Sequence, residues 1–199
     1  MRVSIMDYGV GNLYSIAKGL ERSGGEIEIV TDPRALARSE AIVFPGVGAF
    51  GAAMDVLRPV REELRRAIAE GVPTLGICLG MQILFESSEE SPGTGLGVFG
   101  GRVTKLLSGR VPQMGWNDVK SSDDPLFDGI PQGSKFYYAN SYICQPTEKV
   151  AVAETEYGQR FAAAVRKNTL CGVQFHPEKS GPPGLKLLKN FVALAEGNQ

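Results

Sequence analysis

The first half of the chain alternates short apolar runs with segments of helical periodicity. Val3–Met6 reads as a strand and Leu13–Arg22 as a helix stopped by Gly24-Gly25; Ile27–Val30 and Ala41–Phe44 read as two further strands. The spacing predicts a helix over Ala52–Glu70 with a break near Pro59, a wholly apolar strand over Thr74–Ile77 and another helix over Met81–Glu86. Buried strands alternating with helices predict a parallel sheet covered on both faces. From residue 97 the pattern changes. Gly101–Leu107, Lys135–Tyr138, Val150–Glu154, Phe161–Val165 and Leu170–Phe175 are strand-like runs joined by short polar or glycine-containing links. They predict extra antiparallel strands in the C-terminal half, and Gly184–Ala195 predicts a closing amphipathic helix. No repeat, low-complexity tract or linker divides the 199 residues, so a single α/β domain is expected, with a mixed central sheet flanked by helices.

Composition narrows the function. With 21 basic and 22 acidic residues the net charge is -1, which disfavours a nucleic-acid reader. The longest uncharged run, between Glu70 and Glu86, contains Pro73, Thr74 and Gln82 and falls short of a spanning helix, and Asp7 comes too early for a signal peptide. The three cysteines, Cys78, Cys144 and Cys171, have no metal-ligand spacing, and an odd number suits a reducing compartment. A cytoplasmic location, with no metal or cofactor, is therefore expected.

An open α/β sheet binds ligands at the carboxyl ends of its strands, which directs attention to the residues after Met6, Phe44, Ile77 and Phe175. Gly76-Ile77-Cys78-Leu79-Gly80 is the thiol version of a nucleophile elbow: a sharp strand-to-helix turn that needs neighbours without Cβ atoms. A helix starting there would favour the thiolate; the plain alternative is a buried cysteine between turn glycines. Phe175-His176-Pro177-Glu178 contains the only histidine in the chain. Pro177 biases His176 toward extended backbone, which would put Glu178 on the same side of the strand as the imidazole. Alone, this would read as a surface histidine beside a loop proline; with Cys78 at another strand end, the two supply nucleophile, base and orienting carboxylate. Pro45-Gly46-Val47-Gly48 could aim backbone N–H groups at an oxyanion, or could simply be a tight turn. Neither it nor Gly9-Val10-Gly11 completes a nucleotide-binding fingerprint. Cys171 alternates to the opposite face from His176 in the expected strand, and Cys144 lies in a polar stretch before Pro146, so both read as structural.

The order and spacing of Pro45–Gly48, Gly76–Gln82 and Gln174–Glu178 resemble the class I glutamine amidotransferases over essentially the whole chain, with no room for a fused synthase. Asp7–Leu13, Leu84–Glu90 and Met114-Gly115-Trp116-Asn117 resemble, within that family, the glutaminase subunits of imidazole glycerol phosphate synthase in histidine biosynthesis. The resemblance implies a flavodoxin-like fold and glutamine hydrolysis to glutamate and ammonia. Cys78 would be the nucleophile, His176 the proton carrier and Glu178 its orienting group. Gly46, Val47, Gly48 and Leu79 would form the oxyanion hole; Gln82, Glu90, Ser141 and Tyr142 would hold glutamine; Asn12 and Trp116 would face the partner. That partner would be a separate (β/α)8-barrel cyclase in a 1:1 heterodimer. Two positions depart from the pattern: Gln113 and Asn140 stand where the family commonly has histidine. The glutaminase subunits of pyridoxal 5′-phosphate synthase and of anthranilate or aminodeoxychorismate synthase are alternatives that Asp7–Leu13 and Met114–Asn117 argue against. A redox sensor on the same scaffold would need a resolving cysteine, and none is evident.

Overall fold

The computed structural model describes residues 1–9, 11 and 13–197. Its first half follows the predicted alternation: β1 (Arg2–Met6), α1 (Leu13–Arg22), β2 (Glu26–Val30), β3 (Ala41–Phe44), α2 (Phe50–Leu57), α3 (Arg61–Ala69) and β4 (Thr74–Ile77). The predicted break at Pro59 is a 3-10 turn, Arg58–Val60, between α2 and α3. After β4 the helix α4 is a single turn, Leu79–Gln82, in place of the longer helix expected over Met81–Glu86. The carbonyls of Ile83, Leu84, Phe85 and Glu86 accept from the N–H groups of Leu96, Val98, Gly97 and Gly95, so the chain after Gln82 is held by the loop that returns beside it instead of continuing as helix.

The second half holds β5 (Ser87–Ser88), β6 (Ser91–Thr94), β7 (Gly101–Lys105), β8 (Gln113–Asp118), β9 (Lys120–Ser121), β10 (Lys135–Asn140), β11 (Tyr142–Pro146), β12 (Ala151–Tyr157), β13 (Gln159–Lys167), β14 (Leu170–Val173) and α5 (Gly181–Glu196). α5 begins three residues before the predicted start because Pro182 and Pro183 suit the first turn, where no N–H partner is needed. β14 ends at Val173, two residues short of the prediction, so strand alternation does not reach His176.

The main sheet runs β2-β1-β3-β4-β14-β13-β12-β9. The first five strands are parallel, in the flavodoxin-like order, and the last three are antiparallel. Alternation sends Val3, Ile5, Val43, Leu75 and Ile77 into a core with α1 and α5, while Met6, Ile42 and Phe44 face α2 and α3. Burial on both faces explains why these strands read as continuous apolar runs. Two smaller sheets stand beside the main one: the ribbon β10-β8 and the sheet β11-β7-β5-β6. No helix among the described residues is long and apolar enough to cross a membrane.

Candidate active site

β3, β4 and β14 are adjacent and parallel, so the loops leaving their carboxyl ends emerge side by side. These three loops carry Gly46–Gly48, Cys78 and His176.

Cys78 has φ 51° and ψ -105°, a backbone conformation that residues with a side chain rarely adopt. The turn is sharp because the chain recrosses itself. A Cβ on Gly76 would stand 2.5 Å from the Gly80 carbonyl oxygen, and a Cβ on Gly80 would stand 1.9 Å from that of Phe44. The two glycines are thus steric requirements of the elbow. The Cys78 sulfur lies 3.5 Å from Gln174 Nε2 and 3.9 Å from the Ala139 carbonyl oxygen.

His176 is 2% exposed and lines the same cavity as Cys78. Its Nδ1 lies 2.8 Å from Glu178 Oε1. The pairing is the expected one, but it arises differently: His176 is extended, whereas Pro177–Lys179 form a 3-10 turn that folds Glu178 back under the ring. Burial lowers the His176 pKa, yet the bonds to Cys78 and Glu178 outweigh it and push the value up to about 10. Ser180 holds this loop in place. Its Oγ donates to the His176 carbonyl at 2.6 Å and accepts from Tyr137 N–H at 3.0 Å, while His176 N–H donates to the Tyr137 carbonyl at 2.8 Å. Sequence reasoning passed over Ser180, although a small hydroxyl residue just before a Pro-Pro helix start is a capping signal.

The turn after β3 presses on both groups. A Cβ on Gly46 would stand 2.9 Å from Cys78 Cβ and 3.0 Å from His176 Cε1; Gly48 has φ 117°. Gly46, Val47, Gly48, Leu79, Gln82, Glu90, Ser141 and Tyr142 all line, with Cys78 and His176, one cavity of about 320 Å³. Within it Glu90 Oε2 accepts from Phe50 N–H at 2.6 Å, capping α2 where Ala49 offers no side-chain cap. Gln82 Nε2 donates to the Tyr142 carbonyl at 3.2 Å and to Gln174 Oε1 at 3.3 Å.

A larger open basin, about 1370 Å³, lies at the opposite ends of β4 and β14. Its main feature is the Arg166–Asp124 ion pair (2.9 Å), with no cysteine or histidine, so the smaller cavity is the one with chemistry. Among the described residues no cluster of three or more His, Cys, Asp or Glu side chains could hold a metal ion.

Trp116 is 54% exposed on β8, beside Met114. Its ring packs edge-on to Tyr137 at 6.0 Å, and Lys179 Nζ sits 5.7 Å from the Tyr137 ring centre, at the cavity wall. Asn12 lies outside the described residues. Gln113 and Asn140 face each other across β8 and β10, both buried, and Gln113's amide atoms and Asn140 Oδ1 have no hydrogen-bond partner among the described residues. Cys144 corrects the sequence reading: the stretch before Pro146 is strand β11, and the thiol is fully buried, with its pKa raised well above the ordinary value by that burial. Cys171 is also fully buried, pushed up to about 12.

A model of the class I glutamine amidotransferase family matches residues 4–195, so the chain belongs to that family. It is 48% identical to the imidazole glycerol phosphate synthase subunit HisH of Thermococcus kodakarensis, covering 96% of this chain and 100% of the relative. The Methanocaldococcus jannaschii protein of the same name is 46% identical, covering 96% and 99%. Among solved structures, a glutamine amidotransferase superposes with a TM-score of 0.77 at 21% identity, covering 98% of each chain. The structure of PurLQS from Thermotoga maritima gives 0.74 at 23%, covering 96% of this chain and 97% of the matched one. These two likenesses concern the fold alone.

Proposed function

We propose that the chain is the glutaminase subunit of imidazole glycerol phosphate synthase, acting as a single domain in histidine biosynthesis. The observation that carries the reading is the meeting of Cys78, the His176–Glu178 pair and the Gly46–Gly48 turn around one small cavity, in a chain of this family. Near-full-length identity to proteins named as subunits of that synthase supports the choice of partner enzyme.

In this reading Cys78 Sγ attacks the side-chain carbonyl carbon of glutamine, and the electron pair of the C=O bond moves to oxygen. N–H groups of the Gly46–Gly48 turn and of Leu79 stabilise that oxyanion. An imidazolium beside the sulfur favours the thiolate, and His176 gives its proton to the departing nitrogen. Ammonia leaves and a glutamyl thioester remains. Water, deprotonated by His176, then attacks the thioester carbon; the C–S bond breaks, glutamate leaves and the thiolate–imidazolium pair is restored. Glu178 fixes the ring orientation through Nδ1. Gln82, Glu90, Ser141 and Tyr142 hold the substrate head group.

Free ammonia near neutral pH is mostly protonated and no longer nucleophilic, so transfer to a docked acceptor enzyme follows from the chemistry. The acceptor is a (β/α)8-barrel cyclase in a 1:1 cytoplasmic heterodimer, making imidazole glycerol phosphate and AICAR. The exposed Trp116 and, from the sequence, Asn12 are the residues this reading assigns to its contact. Glutamate release by the purified chain, with and without the cyclase, tests the proposal. Glutamine turnover that the cyclase stimulates is expected; no turnover under any condition overturns it.

A further inference from the structure

Two buried amides, Gln82 and Gln174, link the Tyr142 carbonyl to the Cys78 sulfur, and a third, Asn140, donates to the same carbonyl. The Tyr142 carbonyl oxygen can only accept, so the groups facing it must be amide nitrogens: Asn140 Nδ2 at 3.1 Å and Gln82 Nε2 at 3.2 Å. Gln82 Nε2 spends its second hydrogen on Gln174 Oε1 at 3.3 Å. With its oxygen pinned there, Gln174 must turn its nitrogen to Cys78 Sγ, 3.5 Å away. Gln174 is fully buried, Gln82 6% exposed and Asn140 4% exposed, so water does not compete for these groups. Reversing the Gln174 amide would break two hydrogen bonds and face its oxygen toward the sulfur.

We propose that Gln174 holds the Cys78 sulfur for attack by donating a hydrogen bond that favours the thiolate, with its orientation set by Gln82, itself anchored on the Tyr142 carbonyl. The proposal deepens the glutaminase reading and rests on it for the identity of the reaction. His176 and Gln174 then give the sulfur a charged partner and a neutral one. Both are aimed before substrate arrives, so neither has to reorient during reaction. The Tyr142 carbonyl joins these hydrogen bonds to the Ser141–Tyr142 turn that lines the cavity.

The test pairs Gln174→Leu, which removes the donor, with Gln174→Glu, which keeps the size and the acceptor facing Gln82 but turns an oxygen to the sulfur. Cys171→Ala is the control. The first readout is the pH profile of Cys78 alkylation by iodoacetamide, followed by peptide mass and independent of glutamine. In Gln174→Leu the profile is expected to move to higher pH by about one unit with its alkaline plateau unchanged. Gln174→Glu moves it further. The second readout is glutaminase activity with the cyclase present: kcat falls about tenfold or more while KM stays within about twofold. A structural defect would instead lower the plateau and disturb KM. Should the leucine variant fail to fold, the glutamate variant carries the test. Unmoved profiles and unmoved kcat in the folded variants would overturn the role of Gln174. A moved profile in a chain that never hydrolyses glutamine would overturn the glutaminase reading and leave the role of Gln174 standing.

Discussion

Gly80 and Phe44 are locked together: a Cβ on Gly80 would stand 1.9 Å from the Phe44 carbonyl oxygen. The clash partner is backbone of a buried strand, which cannot swing aside as a side-chain tip could. Gly80→Ala is therefore expected to push β3 and α4 apart, costing about 3 kcal/mol or more of stability, the upper end for overpacking. Urea denaturation measures it. Glutaminase activity should fall even where the variant stays folded, because the elbow is displaced. A variant with unchanged denaturation midpoint and activity would show that the elbow does not depend on this contact.

The elbow was legible in the sequence because its requirement is local: two glycines at fixed offsets from a cysteine at the end of an apolar run. The parallel sheet was legible for a similar reason, since strands buried on both faces leave no polar residues to blur them. The short strands Ser87–Ser88 and Ser91–Thr94 were not, because they lack an apolar run and only pairing defines them, the first with β7 and the second with the first. The strand around Cys144 is hidden by Gln145 and Pro146, although Ile143 and Cys144 within it are buried and the cysteine's structural reading stands. Glu178 was paired with the right partner through the wrong geometry. The role of Gln174 is invisible in one dimension: its partners lie 92 and 96 residues away.

The three cysteines should separate sharply. Cys78→Ala is expected to lose on the order of 10⁴-fold or more in turnover while keeping the fold and cyclase binding. Cys171→Ala should cost little activity. A glutamine-derived affinity label should map to Cys78, because Cys144 and Cys171 are fully buried thiols whose burial raises their pKa values. Peptide mapping that finds the adduct mainly on Cys144 would put the nucleophile elsewhere.

The raised pKa of His176 carries a stability signature. A folded value near 10 against an unfolded value of about 6.5 means the folded state holds this proton more tightly. The contribution is fully present below about pH 6.5, declines above it, and is gone once pH has risen through about 10. Glu178→Gln removes one of the bonds that raise the value, so its stability deficit relative to the wild type should be largest on the acid side and shrink toward pH 10. Turnover should fall about 10²–10⁴-fold in the same variant, as the imidazole loses its orienting charge. Denaturant midpoints collected from pH 5 to 10 check the first expectation, and a pH-independent deficit contradicts it.

Coupling to the partner is expected to act through the turn after β3. Gly46 is wedged against Cys78 and His176, while Gly48 sits at φ 117°, where glycine alone carries no steric cost, so the peptides between them have two accessible orientations on the glycine side. Val47 offers the handle. Its Cγ2 lies where a Cβ on Gly11 would be 1.8 Å away, so Gly11 rests directly on the turn. A partner pressing on Gly11 and on Trp116 would bias which way the turn's N–H groups point. One absent oxyanion donor costs about 10²–10³-fold, and a coupling energy of ~3 kcal/mol would restore it. The isolated chain should therefore hydrolyse glutamine slowly, with full rate only when the cyclase and its nucleotide ligand are both bound. Gly11→Ala should weaken that stimulation, because the added methyl displaces Val47. The measurement is glutamate release by the chain alone, with cyclase, and with cyclase plus nucleotide. Equal rates in all three conditions would mean that the oxyanion hole is permanently formed and that the contact between Gly11 and Val47 serves packing alone.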